Sequence, residues 1–185
     1  MPHTADTPAQ NSTGSSTASE RVEIRTPTVE DGTSLWRLAA GTGVLDVNTP
    51  YAYILWTRDF AETSVIAEVD GEPAGFISGY RRPGAPETLF IWQVAVDSRF
   101  RGRRLASRML TTLVESVAPE RLETTITADN AASIALFTGL ARDQDAEITT
   151  TSFFTEKHFP SAQESGEEHA PEDLYTVAPL GSRTD

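Results

Sequence analysis

The stretch IWQVAVDSRFRGRRLASRML, residues 91–110, most constrains what this chain can fold into. Its first part is apolar on both faces of a strand, its last part repeats apolar residues at helical spacing, and a glycine turn separates them. Five arginines lie between Arg99 and Arg108, although the chain has a formal net charge of -12. Free backbone N–H groups and the helix dipole make such a helix start an anion site. The stretch therefore predicts a strand–turn–helix unit that binds a diphosphate, although an arginine-rich turn also suits a solvated surface.

The patterns around this unit predict an α+β fold, an α/β sandwich with a mixed central sheet and helices on both faces. Apolar periodicity, helix caps and turn residues give the order β-α-α-β-β-β-α-β-α-β-loop-β. Asp70-Gly71 between two apolar runs predicts a hairpin. The acidic segment FPSAQESGEEHAPED, residues 159–173, predicts a loop before the last strand.

Length and composition limit the function classes. The 185 residues suit one domain with its own core, which we place over residues 21–180, between a disordered tail over 1–20 and a short tail over 181–185. A sequence pI near 4.6 argues against nucleic-acid binding, and no apolar run is long enough to cross a membrane. The chain has no cysteine and three scattered histidines, so a metal site is not expected. We expect a cytoplasmic protein.

The segment RGRRLASRML resembles motif A of the GNAT acetyltransferases, Q/R-x-x-G-x-G/A between a strand and a helix. Arg101 fills its first position and Ala106 its last, whereas Arg104 stands where the family usually has glycine. The resemblance implies acetyl-CoA as cosubstrate. Because backbone N–H groups would make most contacts, we expect binding to tolerate Arg104 in the ordinary right-handed region. The expected cofactor-binding residues are Val94, Val96, Arg101, Gly102, Arg103, Arg104, Leu105, Ala106, Asn130 and Ser133.

The resemblance also implies how the cosubstrate lies. Its pantetheine arm would run beside residues 93–96 of a strand that separates from the next strand, RLETTIT, residues 121–127. The backbone N–H near Val94 would polarise the thioester carbonyl. Asn130 matches an asparagine that commonly touches the cofactor in the family. Phe137 replaces the tyrosine with which many members protonate the departing thiolate, so solvent or another group does this, or the thiolate leaves unassisted.

Segments outside motif A resemble the diaminobutyrate acetyltransferases of ectoine biosynthesis over about residues 22–180. The most selective is LDVNTPYAY, residues 45–53. This resemblance implies acetyl transfer from acetyl-CoA to the 4-amino group of L-2,4-diaminobutyrate, and it suggests a homodimer. Fold alone does not choose the substrate. A GNAT enzyme for another small amine, a non-catalytic acyl-CoA-binding sensor and a protein acetyltransferase remain alternatives.

An acceptor with two ammonium groups and one carboxylate needs carboxylates and a hydrogen-bond donor in its site. We assign Asp46, on the connection between two early helices, to an ammonium group, although an aspartate there also suits a turn. Tyr51 and Trp92 either bind the acceptor or pack in the core. The resemblance adds His169 and Glu172 from the acidic loop, whereas composition alone favours a solvated histidine. Thr124 and Thr125 are weaker candidates.

The chemistry predicted is direct attack of the amine on the thioester, without an acyl-enzyme. The chain offers no cysteine, and no serine or threonine has an evident histidine partner. An amine of pKa ~10.4 is mostly protonated at neutral pH, so a proton acceptor is needed. The candidates are His169, a carboxylate and a chain of waters. We name Val94 and His169 as the catalytic residues.

Overall fold

The computed structural model describes residues 20–43, 45–166 and 168–181. The tail predicted over 1–20 lies outside the described residues except for Glu20, and so does the C-terminal tail beyond Gly181. The strands are β1 (Val22–Arg25), β2 (Val65–Val69), β3 (Glu72–Arg82), β4 (Ala85–Val96), β5 (Arg121–Thr127), β6 (Glu147–Phe154) and β7 (Glu172–Ala178). The helices are α1 (Gly32–Thr42), α2 (Pro50–Asp59), α3 (Leu105–Val117), α4 (Ala131–Asp143) and α5 (Ala162–Ser165). The predicted element order is confirmed, with the short α5 as an addition inside the acidic loop.

The strands form one mixed sheet, as predicted, in the order β1-β2-β3-β4-β5-β7-β6. Only β4 and β5 are parallel neighbours among the described strands. Parallel neighbours need a crossover connection, which α3 supplies. The predicted hairpin joins β2 to β3, and Asp70 and Gly71 both have positive φ, at 52 and 84°. Positive φ at both central residues is the geometry in which Asp-Gly pairs favour tight hairpins.

Helices cover both faces of the sheet, as the pattern predicted. Ile66 of β2 packs with Leu35 of α1 and Tyr53 of α2 in one buried cluster. The next residue, Ala67, packs in another cluster with Met109 of α3, which also contains Phe137 and Leu140 of α4. Successive strand residues point to opposite faces. The sheet therefore has an α1/α2 face and an α3/α4 face. Every helix in the part of the chain that the structure describes is too short or too polar to span a membrane.

An ion cluster ties the start of α1 to the first two strands. The Arg25 guanidinium lies 2.7 Å from a carboxylate oxygen of Asp31 and also pairs with Glu68 on β2. The same Asp31 oxygen accepts a hydrogen bond from the Thr28 N–H at 2.7 Å. The hydrogen bonds from Arg25, with those from Thr28, lower the pKa of Asp31 from 3.8 to about 2.

The sheet opens between β4 and β5. These strands pair only from Thr88–Ile91 to Arg121–Thr124. Strand β4 then continues to Val96, while β5 continues to Thr127 with β7 as its partner. The predicted separation of residues 93–96 from the RLETTIT strand is therefore present.

A β-bulge lies where the two strands begin to separate. Ser78 of β3 pairs with Gln93, but Gly79 pairs with Ile91, so Trp92 is an extra residue in β4. A side chain on Gly79 would come within 2.7 Å of the Phe90 carbonyl oxygen, so a larger residue does not fit beside the bulge. Bulges bend a strand and re-aim its side chains. This bulge turns β4 away from β5 and leaves a gap in the sheet.

Candidate active site

A cleft of about 1390 Å³ lies at this gap. Its walls come from the separated parts of β4 and β5, the first turns of α3 and α4, the connection between α1 and α2, and the segment before β7. The structure brings most of the predicted site residues together here: Asp46, Trp92, Val94, Val96, Arg101, Gly102, Arg104, Leu105, Ala106, Asn130, Ser133, His169 and Glu172. Thr124 and Thr125 also line the cleft. Arg103 and Tyr51 lie outside its lining.

The start of α3 has the backbone geometry of a glycine turn. Arg104 has φ 57° and ψ 25°, so it adopts the left-handed conformation rather than the right-handed one we expected. Gly102 also has positive φ, at 78°. The chain must turn into the helix within two residues, and here an arginine takes a backbone shape that glycine adopts without strain. That shape costs a residue with a Cβ about 1–2 kcal/mol.

Backbone N–H groups at this helix start remain available to a ligand. Arg104, the N-cap of α3, makes no side-chain capping bond among the described residues. The first intrahelical bond in the ladder runs from the Arg108 N–H to the Arg104 carbonyl. The preceding N–H groups, of Leu105, Ala106 and Ser107, have no acceptor within the helix. These three residues line the cleft, so the first turn of α3 offers donors and a positive dipole end to an anion.

The arginines of the opening stretch divide into two groups. Arg101 and Arg104 line the cleft. Arg99 instead pairs with Asp97 at 2.9 Å and with Glu72 at 3.1 Å. Arg103 pairs with Glu20, and its guanidinium carbon lies 5.3 Å from the centre of the Phe100 ring. The sequence expectation that Arg103 contacts the cofactor is therefore not supported by its placement.

Helix α4 also begins at the cleft. The Asn130 side-chain oxygen accepts a hydrogen bond from the Ser133 N–H at 3.1 Å and so caps the helix. This bond uses the carboxamide oxygen and leaves the carboxamide nitrogen as a donor. Further along α4, Phe137 lines the cleft although its side chain is only 1% exposed. Its ring has no acidic proton to donate to a group in the cleft.

The opposite wall of the cleft lies on the α1/α2 face. The Gln93 side-chain nitrogen donates a hydrogen bond to the backbone carbonyl of Asp46 at 3.0 Å, and Gln93 is only 5% exposed. This bond holds the connection between α1 and α2 against β4, next to Val94. The Trp92 ring lies 4.2 Å from Trp56 and 6.4 Å from Tyr53, centre to centre. Trp92 therefore both packs in an aromatic cluster and forms part of the wall.

The segment before β7 brings two predicted residues to the same wall. His169 stacks on Phe159, with ring centres 5.0 Å apart and planes at 16°. Glu172 is the first residue of β7 and pairs with Thr127 of β5. Tyr51, in contrast, is 66% exposed on α2. The structure therefore places His169 and Glu172 in the lining of the cleft and Tyr51 outside it.

Sequence reasoning missed a charged pair in the cleft. Arg82 Nη1 lies 2.8 Å from Glu123 Oε2, and both residues line the cleft. A signal was present, since Glu123 is the one charged residue inside the strand LETTIT. The partner could not be found from sequence, because Arg82 lies 41 residues away. Other lining residues that sequence reasoning did not name include Trp56, Tyr80, Phe90, Ser107, Phe153, Phe154 and Phe159.

Comparison with known proteins identifies the family. Residues 33–140 match the acetyltransferase (GNAT) family. The chain is 47% identical to the L-2,4-diaminobutyric acid acetyltransferase of Nocardia farcinica, over 85% of this chain and 80% of that protein. It is 46% identical to the enzyme of the same name from Streptomyces coelicolor, over 87% of this chain and 95% of that one.

Comparison with solved structures points to the same family. The diaminobutyrate acetyltransferase EctA from Paenibacillus lautus, in complex with L-2,4-diaminobutyric acid and coenzyme A, superposes with a TM-score of 0.82. The two are 38% identical, over 90% of this chain and 99% of that one. The protein yncA from Salmonella typhimurium, solved with acetyl-CoA, shares only the fold, with a TM-score of 0.66 at 15% identity, over 89% of this chain and 96% of that one. The chain therefore belongs to the GNAT acetyltransferases and, among them, to the L-2,4-diaminobutyric acid acetyltransferases.

Proposed function

We propose that the protein transfers the acetyl group of acetyl-CoA to the 4-amino group of L-2,4-diaminobutyrate, the acetylation that precedes ring closure to ectoine. Besides family membership, one observation on the cleft supports this proposal. A single cleft joins the start of α3, which offers free N–H groups and arginines, to a wall with the carboxylates of Asp46 and Glu172. An anionic thioester and a dicationic amine can therefore meet at the gap in the sheet.

Acetyl-CoA has complementary groups on the α3/α4 side. Its diphosphate would accept hydrogen bonds from the N–H groups of Leu105, Ala106 and Ser107, with Arg101 and Arg104 adding charge. Its pantetheine arm would lie beside residues 94–96 of β4, whose edge toward β5 is open after Ile91. Asn130 at the start of α4 would donate its carboxamide N–H to the same molecule.

The acceptor would bind from the α1/α2 face. Asp46, held by Gln93, would bind an ammonium group, with Glu172 as a second carboxylate. The neutral 4-amino nitrogen would attack the acetyl carbon while the Val94 N–H stabilises the charge on the carbonyl oxygen. The C–S bond then breaks, the thiolate leaves, and the new amide nitrogen loses its proton. His169 is our first candidate to take this proton, with a carboxylate or water as alternatives. Positioning two bound substrates supplies most of the catalysis.

We further propose a cytoplasmic homodimer, because acetyl-CoA is an intracellular metabolite and strand β6 ends the sheet with an exposed edge. Residues 149–154 of β6 are exposed, which gives a second copy room to pair there. The partners proposed are a small-molecule amine and the second copy, without nucleic acid or membrane. Light scattering on the purified protein tests the stoichiometry.

The deciding experiment is incubation with acetyl-CoA and diaminobutyrate, with the product identified by mass spectrometry and NMR. We expect the 4-N-acetyl product, and a preference for diaminobutyrate over ornithine, lysine and spermidine. Preference for ornithine or spermidine would instead support a GNAT enzyme for another amine. Acetyl-CoA binding without CoA release for any amine would support the sensor alternative.

A further inference from the structure

The carboxylate of the proposed acceptor needs a cationic partner, and no residue has been assigned to it so far. Asp46 and Glu172 repel a carboxylate, and His169 is assigned to the proton. Arg101 and Arg104 lie at the start of α3, where the diphosphate is proposed to bind. We propose that Arg82 binds the α-carboxylate of the acceptor and that Glu123 positions Arg82 for this contact. This inference rests on the proposed function.

Strand geometry places the Arg82–Glu123 pair on the acceptor side. Leu122 and Ile126 of β5 are in the core cluster of the α3/α4 face. Glu123 lies between them at odd spacing, so its side chain points to the α1/α2 face. Arg82 Nη1 is 2.8 Å from the Glu123 carboxylate and therefore lies on the same side. The pair is thus separated by the sheet from the helix that is proposed to hold the diphosphate.

The exposure of the two side chains suits a binding arginine and a supporting glutamate. The Glu123 side chain is only 9% exposed, whereas that of Arg82 is 44% exposed and lines the cleft. Among the described residues, the pair with Glu123 is the only ion pair that Arg82 makes. A guanidinium has five N–H donors in a planar fork that matches a carboxylate. One bond to Glu123 leaves enough donors for a second carboxylate.

The distance from the Arg82–Glu123 pair to Val94, where the thioester is proposed to lie, also matches the length of the acceptor. Glu123 pairs with Phe90 on β4, and Val94 lies four residues beyond Phe90. Four residues of regular strand span about 13 Å, and the bulge at Trp92 shortens this distance. Diaminobutyrate is about 6 Å long with standard bond lengths, and a hydrogen bond at each end adds about 3 Å. The substrate can therefore reach from Arg82 to the thioester near Val94.

Two analogues separate carboxylate recognition from amine recognition. L-2-Aminobutyrate keeps the carboxylate and lacks the 4-amino group, while 1,3-diaminopropane keeps both amines and lacks the carboxylate. In Arg82→Ala we expect the KM for diaminobutyrate and the inhibition constant of 2-aminobutyrate to rise about 10- to 100-fold. The inhibition constant of 1,3-diaminopropane should stay within about 2-fold. Arg142→Ala, a surface arginine outside the cleft, is the matched control.

Removing Arg82 alone leaves a buried glutamate without its cation, which can cost stability. The double variant Arg82→Ala/Glu123→Gln removes both charges and keeps the test valid if the single variant does not fold. Glu123→Gln alone should raise the KM for diaminobutyrate several-fold and leave kcat unchanged. A merely structural glutamate would lower the amount of folded enzyme without this split between KM and kcat.

The outcomes are distinct. Weaker binding of diaminobutyrate and 2-aminobutyrate, with unchanged binding of 1,3-diaminopropane, supports Arg82 as the partner of the carboxylate. If Arg82→Ala weakens the binding of 1,3-diaminopropane and 2-aminobutyrate equally, or weakens neither, the proposed role of Arg82 is wrong. The proposed function still stands in that case, provided that the wild type acetylates diaminobutyrate. A wild type that releases no CoA with diaminobutyrate instead overturns the proposed function.

Discussion

Arg104 carries a long side chain on a backbone shape that glycine adopts without strain. Its φ of 57° lies in the left-handed region, and it directly precedes the first turn of α3. The ligand contacts proposed there come from the N–H groups that follow it, which any residue at position 104 leaves in place. The backbone shape at position 104 therefore affects stability, while the arginine side chain adds positive charge at the proposed diphosphate site.

Replacing Arg104 with glycine should stabilise the protein, whereas alanine keeps the strain. We expect Arg104→Gly to unfold with a free energy about 1 kcal/mol higher than Arg104→Ala. Urea unfolding of both variants measures the difference. Both should keep acetyl-CoA affinity within a few-fold of each other. An alanine variant as stable as the glycine one would show that the turn relaxes without strain.

Asp46 tests whether the connection between α1 and α2 recognises the amine. Asp46→Asn keeps the side-chain shape and the backbone carbonyl that Gln93 binds, but it removes the negative charge. We expect the KM for diaminobutyrate to rise about 10-fold or more, with little change in acetyl-CoA affinity. Asp143→Asn, at the end of α4 and paired with Arg142, is the control. Equal effects of the two substitutions would contradict the assignment.

At the scale of elements, Asp31 holds α1 to the edge of the sheet. Its pKa is lowered to about 2, mainly by the hydrogen bonds from Arg25. A carboxyl with a lowered pKa stabilises the fold above its ordinary value, here 3.8, and this contribution disappears as the pH falls through about 2. Because Arg25 keeps its ion pair with Glu68 when Asp31 is replaced, the loss of folding stability is smaller than it would be for an isolated pair.

Asp31→Asn should therefore destabilise the protein at neutral pH by about 1–2 kcal/mol. The difference from wild type should shrink as the pH is lowered from 4 toward 2. Urea unfolding at several pH values measures this trend. Asp59→Asn removes a carboxylate from an exposed pair with Arg58 and should change little. A difference that stays constant down to acidic pH would mean that the ionised form of Asp31 has no special role.

Helices, strands and turns could be predicted from the sequence where their structure depends on neighbouring residues. The residues of the candidate site could be predicted only where a local sequence motif marks them. The helical stripe from Leu105 to Val117 and the Asp70-Gly71 turn depend on neighbours in sequence, and both are present. The gap between β4 and β5 followed from the family resemblance. The bulge at Trp92 and the partner of Glu123 depend on the register of distant strands, which no local pattern encodes.

At the scale of the whole molecule, the net charge of -12 makes the folded chain repel itself. Added salt screens this repulsion. We expect the unfolding temperature at pH 7 to rise as KCl is increased from low concentration. Near pH 4.6, the sequence pI, the same addition should have much less effect. Calorimetry at the two pH values tests this, and an equal gain at both would assign the effect to something other than net charge.

The gap in the sheet has a consequence for the lifetime of the molecule. The half with β1 to β4 and the half with β5, β7 and β6 share only one short run of strand pairing, Thr88–Ile91 with Arg121–Thr124. If the cosubstrate hydrogen bonds to residues 94–96 as proposed, it would take the place of the absent stretch of neighbouring strand. The bound cosubstrate would then connect the two halves of the sheet, and the connection would be lost when coenzyme A leaves. Binding of acetyl-CoA would then stabilise the folded protein, so we expect its resistance to proteases to increase with the concentration of acetyl-CoA.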